Sequence, residues 1–186
     1  IQLYTHHLSP FLAGQPAGAN AFGAVSRDPS YLYHYLMSFP LRLISLAAHT
    51  TIEQVVALRL LDIGLGVATL LLLRRLALRL GASPAASNMA LLALAITPAF
   101  YDLSGQINYD NLLIPLTILA LLAAWRTADA VKQGRLRVTQ LLLLGPLLLL
   151  TSLVKYTFLP VMLGLGVYML GLLAWQWRYG GLHWEL

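Results

Sequence analysis

The sequence predicts an all-α fold: a polytopic transmembrane helix bundle of about five spans, with an amphipathic extracytoplasmic segment at its N-terminal end. Three observations carry this prediction. Hydrophobic residues make up 59% of the 186 and charged residues only 10%, a balance outside that of soluble domains. The mean hydropathy is +0.72. The basic residues behind the net charge of +5 gather between apolar runs, where they act as orientation signals, so the bilayer is the expected partner and nucleic acid is not. The chain has no cysteine, which excludes disulfides and thiolate metal sites.

Residues 1–54 read as an extracytoplasmic loop with interfacial helices. "HLSPFLAGQPAGANAFGAVSRDPS" is rich in Gly, Pro and small residues and marks irregular chain. "YLYHYLMSFPLRLISLAAH" mixes Tyr, His and Arg with apolar residues around Pro40, as in a bent helix lying in the interface. Tyr31, Tyr33 and Tyr35 suit an aromatic belt.

Residues 55–186 read as one transmembrane bundle. Val55 to Leu73 is the first span, roughly 19 residues and so long enough to cross about 30 Å of hydrocarbon. A basic loop with Arg74, Arg75 and Arg79 follows, closed by Gly81 and Pro84. Ala86 to Phe100 and Asn111 to Trp125 are shorter runs flanking the polar "YDLSGQINYD" stretch, and they fit either a tight hairpin that only just crosses or two helices shielded by neighbours. Arg126, Lys132, Arg135 and Arg137 form a second basic loop. Val138 to Val154 and Phe158 to Trp175 are the last two spans, separated by "KYT" and interrupted by Pro146 and Pro160.

If every run crosses, the two basic loops share one side, which the positive-inside rule assigns to the cytoplasm. Residues 1–54, the polar stretch around Asp110, and Lys155 then share the extracytoplasmic face. The chain begins at Ile1 and stops shortly after an apolar run, and it reads as a piece of a longer protein.

Ionisable groups beside hydrocarbon are costly and so mark candidate sites. Asp110, before "NLLIPL", suits either a helix N-cap or a carboxylate kept for chemistry. Asn108 and Asn111 suit turn and cap roles. Lys155 reads as a snorkelling lysine or a point charge for a lipid phosphate. Arg59 and Asp62, three apart, share a helix face and are expected to neutralise each other, the alternative being Arg59 on an anionic ligand. Asp28, His34 and Arg42 fall in the extracytoplasmic region, where the carboxylate of Asp28 and the imidazole of His34 could bind a divalent ion or activate a hydroxyl if they meet in space. His34 also fits an ordinary interfacial histidine, and His6 and His7 diverge in any regular structure.

Four stretches in order resemble the GT-C superfamily of polyprenyl-phosphate-dependent membrane glycosyltransferases, in its branch of protein mannosyltransferases, aminoarabinose transferases and uncharacterised bacterial relatives. "RDPSYLYHYLMSFPLRLI" is similar to the family's extracytoplasmic "HPPLYYLL" region, and "ALRLLDIGLGVATLLLLRRLALRLG" to a span finishing in "ARRLG". "ALAITPAFYDLSGQINYDNLLI" resembles a segment with Pro, a polar loop and an Asp, and "LLLLGPLLLLTSLVKYTFLPV" resembles "GLALLTKYTALP". The similarity runs from about Asp28 to Val161.

The resemblance implies a bacterial inner-membrane enzyme. It would transfer a sugar from a polyprenyl-phosphate carrier to a lipid, glycan or protein acceptor on the extracytoplasmic face. It assigns Asp110 a catalytic or acceptor-orienting role, with a divalent metal ion as the one cofactor to expect. Lys155 would hold the carrier phosphate, and Arg59, Tyr156 and His34 are further substrate-binding candidates. The family's acid in the first extracytoplasmic loop is either upstream of Ile1 or replaced by Asp28, in a loop that has Asp-Pro-Ser where relatives have a doubled proline. Two rivals stand beside this reading. A transporter or flippase would line its path with Arg59, Asp62 and Asp110, and the chain could instead be a non-catalytic membrane subunit.

Overall fold

Capping and chain-breaking residues set the helix boundaries in the computed structural model, which describes residues 31–179 and 183–185. Asp28 and the Gly/Pro-rich stretch before it lie outside the described residues. The first described helix, α1, runs Tyr31–Ile44. Tyr33, Met37 and Leu41, four apart, form its buried stripe, while Leu36, Phe39 and Leu43 stay exposed. At 14 residues with Pro40 inside, it is too short to span, in keeping with an amphipathic segment.

The long helix α2 runs Thr51–Arg79, longer than expected at both ends. Its start is a capping box. Thr50 Oγ1 accepts from the Glu53 N–H at 3.3 Å, and Glu53 Oε2 accepts from the Thr50 N–H at 3.1 Å. Its end is a Schellman turn around Gly81 at φ +91°, in which Ala82 N–H reaches Ala77 O at 3.0 Å and Gly81 N–H reaches Leu78 O at 3.1 Å. Arg74, Arg75 and Arg79 therefore sit on the last turns of the helix and not in a loop.

The second apolar run is broken. Helix α3, Pro84–Ala95, starts with Ser83 as cap and Pro84 in its first turn. Pro98 then holds Thr97 extended at φ −68°, ψ 133°, because a residue before proline is excluded from the helical region. The chain restarts as α4, Pro98–Ser104, bent 71° from α3. The expected single span from Ala86 to Phe100 is thus two helices.

Helix α5, Asp110–Lys132, follows and carries Pro115 inside. It continues past Trp125 to Lys132, and Gly134 at φ +69° ends the turn. A three-residue strand β1, Arg135–Arg137, pairs in parallel with β2, His183–Glu185. Helix α6, Val138–Val154, matches the expected run, and a 3-10 turn, Tyr156–Phe158, leads into α7, Leu159–Tyr179. Pro160 falls in the first turn of α7, where proline is tolerated. The break in the chain is at Lys155.

The described residues give an all-α membrane bundle apart from that strand pair. Three helices, α2, α5 and the stretch Tyr156–Tyr179, are long and apolar enough to cross a membrane, and the bent pair α3–α4 makes up to four. The fourth expected span, Val138 to Val154, is α6, and at 17 residues it is just under that length. The lipid-facing character shows in the many exposed large apolar residues, among them Leu60, Leu71, Leu92, Leu142, Val167 and Leu170. In water such a surface would be an aggregation hazard; in hydrocarbon it costs nothing.

Two compact units divide the chain. The first takes in the chain up to Pro115 together with Leu153–Lys155. Here α1, α3 and α4 pack on α2. The second covers Leu116–Ser152 and the chain from Tyr156 onward, with a core of Ala123, Ala124, Ala128, Val131, Leu136, Leu144 and Met169. Its alanines allow close helix approach where lipid supplies no hydrophobic drive. The candidate site lies in the first unit.

Candidate functional site

A glycine lets the polar loop close on α2. A Cβ added at Gly66 would meet Ser104 Oγ at 2.7 Å and Ser104 Cβ at 3.0 Å. Only the missing side chain lets the end of α4 dock there. Residues 101–106 consequently lie beside Arg59 and Ile63 of α2 and enclose a cleft of about 470 Å³. Ser104 Oγ is buried without a hydrogen-bond partner among the described residues.

Two asparagines then shape the start of α5. Asn108 Oδ1 accepts from the Asp110 N–H at 3.0 Å, so Asn108 satisfies the free helix-start donor. Asn111, 3% exposed, donates through Nδ2 to Leu103 O at 2.9 Å and to Gln106 O at 2.8 Å. The loop is tied back onto the end of α4. Asp110 is not the cap, and its carboxylate is left for another partner.

That partner is Lys155. Its Nζ donates to Asp110 Oδ1 at 3.0 Å and stands 4.4 Å from the centre of the Tyr109 ring. The two side chains are 22% and 28% exposed, so the pair is partly shielded yet reachable. Burial pulls the Lys155 pKa down, but the hydrogen bond and charge of Asp110, helped by Tyr109, outweigh it and the value is raised. Lys155 is an ammonium with donors to spare beyond its one bond to Asp110. Asp110 Oδ2 has no protein partner among the described residues.

The expected pairing of Arg59 with Asp62 is not formed. Asp62 is completely buried and accepts the Tyr33 hydroxyl at 3.0 Å on each of its oxygens. Residues three apart on a helix are offset by about 60°, enough for Asp62 to face α1 while Arg59 faces the cleft. Arg59 is exposed there, beside Tyr101, Asp102, Ser104 and Gln106, and has no ion-pair partner among the described residues.

The remaining candidates separate. His34 is half-buried with its ring edge-on to Tyr33 at 5.3 Å. Tyr156 is exposed in the 3-10 turn, and Asp28 is outside the described residues. No group of three or more His, Asp or Glu that could hold a metal ion occurs among the described residues. The sequence reading missed Tyr33 as a buried ligand of Asp62, having counted it in an aromatic belt. Its signal was available in the Tyr33, Met37, Leu41 stripe, which faces the core.

Comparison with known families bears directly on this arrangement. The family model for dolichyl-phosphate-mannose-protein mannosyltransferases matches residues 37–180, a stretch that includes Arg59, Asp62, Asp110 and Lys155. The chain belongs to that family. It is an integral-membrane glycosyltransferase of the mannosyltransferase type, as the resemblance of its four stretches implied. The family match begins within α1, after Tyr33 and His34. Neither the curated proteins nor the solved structures contain a match to the chain.

Proposed function

We propose that this mannosyltransferase-family chain forms part of an active site that transfers a sugar from a polyprenyl-phosphate carrier to an acceptor hydroxyl on the extracytoplasmic face of a bacterial inner membrane. The observation that carries the reading is the Asp110–Lys155 pair, an ammonium and a carboxylate held together beside the cleft-forming loop. Transfer from such a donor is a displacement at the anomeric carbon. The acceptor oxygen forms the new bond to carbon while the bond to the carrier phosphate oxygen breaks, leaving a phosphate with one more negative charge. The acceptor proton passes to a carboxylate.

Each group has chemistry suited to one of these demands. Lys155 can direct its remaining N–H donors at the departing phosphate, where charge develops. Arg59, exposed and unpaired among the described residues, offers a forked donor set for the same anion from the cleft. Asp110, with Oδ2 open, can orient the acceptor hydroxyl. Asp28, or an acid preceding it, would be the proton acceptor, and His34 and Tyr156 would contribute to substrate binding. A divalent ion held by Asp110 would supply positive charge for the departing phosphate. The acceptor would be a lipid, glycan or protein hydroxyl.

The test is transfer of radiolabelled sugar by the full-length protein in membranes, from a panel of polyprenyl-phosphate donors. Turnover abolished by Asp110→Asn and by Lys155→Ala at normal expression supports the reading. Turnover unaffected by both overturns it. The extracytoplasmic placement is tested separately, since a chain without cysteine accepts single reporters: a thiol at Gln106 should label from outside intact cells, and one at Arg75 should not.

A further inference from the structure

The cleft beside Arg59 offers a ligand more than a cation. Arg59 and Ile63 line it from α2, Tyr101 and Asp102 from α4, and Gln106 from the loop that follows. Its volume of about 470 Å³ falls within the range of about 300–1,000 Å³ usual for small-molecule sites. The side chains of Arg59, Tyr101, Asp102 and Gln106 are exposed and form no hydrogen bond or ion pair among the described residues. A guanidinium and a carboxylate thus share one cleft without closing on each other, and both stay open to a ligand.

The four polar groups and their apolar neighbour narrow the chemistry of that ligand. Arg59 selects an anion through its forked donors. The Asp102 carboxylate only accepts hydrogen bonds and repels the same anion, so it must face a different part of the molecule, one that carries donors. The Gln106 amide both donates and accepts, which matches a hydroxyl. Tyr101, 73% exposed, and Ile63 add apolar surface that suits the C–H face of a saturated ring. A phosphate at one end and a hydroxyl-bearing ring at the other meets every one of these demands. We propose that the cleft holds the head group of a polyprenyl-phosphate sugar, with Asp102 and Gln106 on the sugar hydroxyls, Tyr101 against the sugar ring and Arg59 on the phosphate. This inference rests on the transfer reading above and adds to it a sugar subsite.

The segment that carries the subsite is fixed from two directions. The end of α4 docks on α2 where Gly66 has no side chain, and the Asn111 amide holds Leu103 O and Gln106 O. Asn111 is the residue after Asp110, so the wall of the cleft is tied to the turn that presents the Asp110–Lys155 pair. A side chain on a segment held in this way orients a ligand at small entropic cost.

The experiment is equilibrium binding to the purified full-length protein in detergent, with no acceptor present. Two radiolabelled probes are compared: the polyprenyl-phosphate sugar that the wild type turns over in the donor panel, and the same polyprenyl phosphate without its sugar. Asp102→Ala is expected to raise the Kd of the sugar-bearing probe about 10-fold, as for loss of a charge-assisted hydrogen bond, and to leave that of the sugar-free probe within about twofold. Tyr101→Leu should act in the same direction, while Tyr101→Phe, which keeps the ring, should bind as wild type does. Arg59→Ala should weaken both probes alike. Unchanged binding of the sugar-bearing probe by Asp102→Ala overturns the inference. An equal loss of both probes in that variant overturns it too, since it would mark a general disturbance of the cleft. If no donor is turned over, or if Asp110→Asn and Lys155→Ala transfer sugar at the wild-type rate, the transfer reading fails and the subsite with it. If those two variants are inactive while Asp102→Ala binds both probes as wild type does, only the sugar subsite fails.

Discussion

Lys155 and Asp110 are 45 positions apart in the chain, yet Nζ and Oδ1 lie 3.0 Å from each other. The contact forms because α6 stops at Val154 and α5 starts at Asp110, which places one charge on each side of a helix boundary. Asn108 takes over the capping of α5, so the Asp110 carboxylate is not consumed by its own helix.

The strength of this pair can be read by a stability cycle. Asp110→Asn should destabilise the protein by about 1–2 kcal/mol, near the lower end for a hydrogen bond to a charged group because both side chains are partly solvated. Lys155→Met should cost a similar amount, and the double variant should cost less than the sum. Thermal unfolding in detergent measures all three. Strict additivity would mean that the contact carries no energy.

The pH dependence of the pair has a definite sign. The folded pKa of Lys155 is raised above 10.5, so its contribution to stability is complete below that value and is lost as pH rises through the folded pKa. The difference in melting temperature between wild type and Lys155→Met should therefore stay constant over the neutral and mildly alkaline range. It should shrink only above about pH 10.5. Loss of the difference at clearly lower pH would contradict a stabilised ammonium.

Gly66 and Gly64 make a matched comparison on one helix. Replacement of Gly64 by Ala meets nothing within 4 Å and should stabilise α2 by roughly 0.5–1 kcal/mol through helix propensity. The same change at Gly66 drives a methyl to within 2.7 Å of Ser104 Oγ and 3.0 Å of Ser104 Cβ. It should destabilise by about 1–3 kcal/mol by pushing α4 away. Ser104→Gly should relieve most of that loss. Melting of the four variants is the measurement, and equal behaviour at the two glycines would refute the close approach.

Arg59 should act on binding more than on chemistry. Arg59→Ala is expected to raise the KM for a polyprenyl-phosphate sugar about 10-fold while leaving kcat within a few-fold, the pattern of an anion contact made equally in ground and transition states. Arg59→Lys should recover only part of the loss, since a lysine cannot present the forked donors. A kcat effect without a KM effect would move Arg59 into the transition-state machinery.

Much of this site was legible before any fold was known, and the residues show why. Asp110 and Lys155 were each conspicuous as an ionisable group at the edge of an apolar run, where its presence is costly. Tyr33 was not conspicuous, because a tyrosine in a Tyr-rich segment fits an interfacial belt equally well. The helix breaks divide the same way. Pro84 and Gly81 are local punctuation and were placed correctly, whereas the 71° bend at Pro98 cut a run whose hydropathy alone was continuous.

The amino-acid sequence by itself determined the membrane character, the helical class, the order of apolar runs and the glycosyltransferase family, because hydropathy, composition and short motifs are properties of local chain. Only the tertiary structure decided which charges meet. Arg59 and Asp62 share a helix face and were expected to pair, but Asp62 faces the Tyr33 hydroxyl of another helix and Arg59 faces a cleft. The choice turns on which neighbour fills each side of α2. It is set by the packing of α1 and by the missing side chain at Gly66, neither of which can be read from the spacing of residues along one helix.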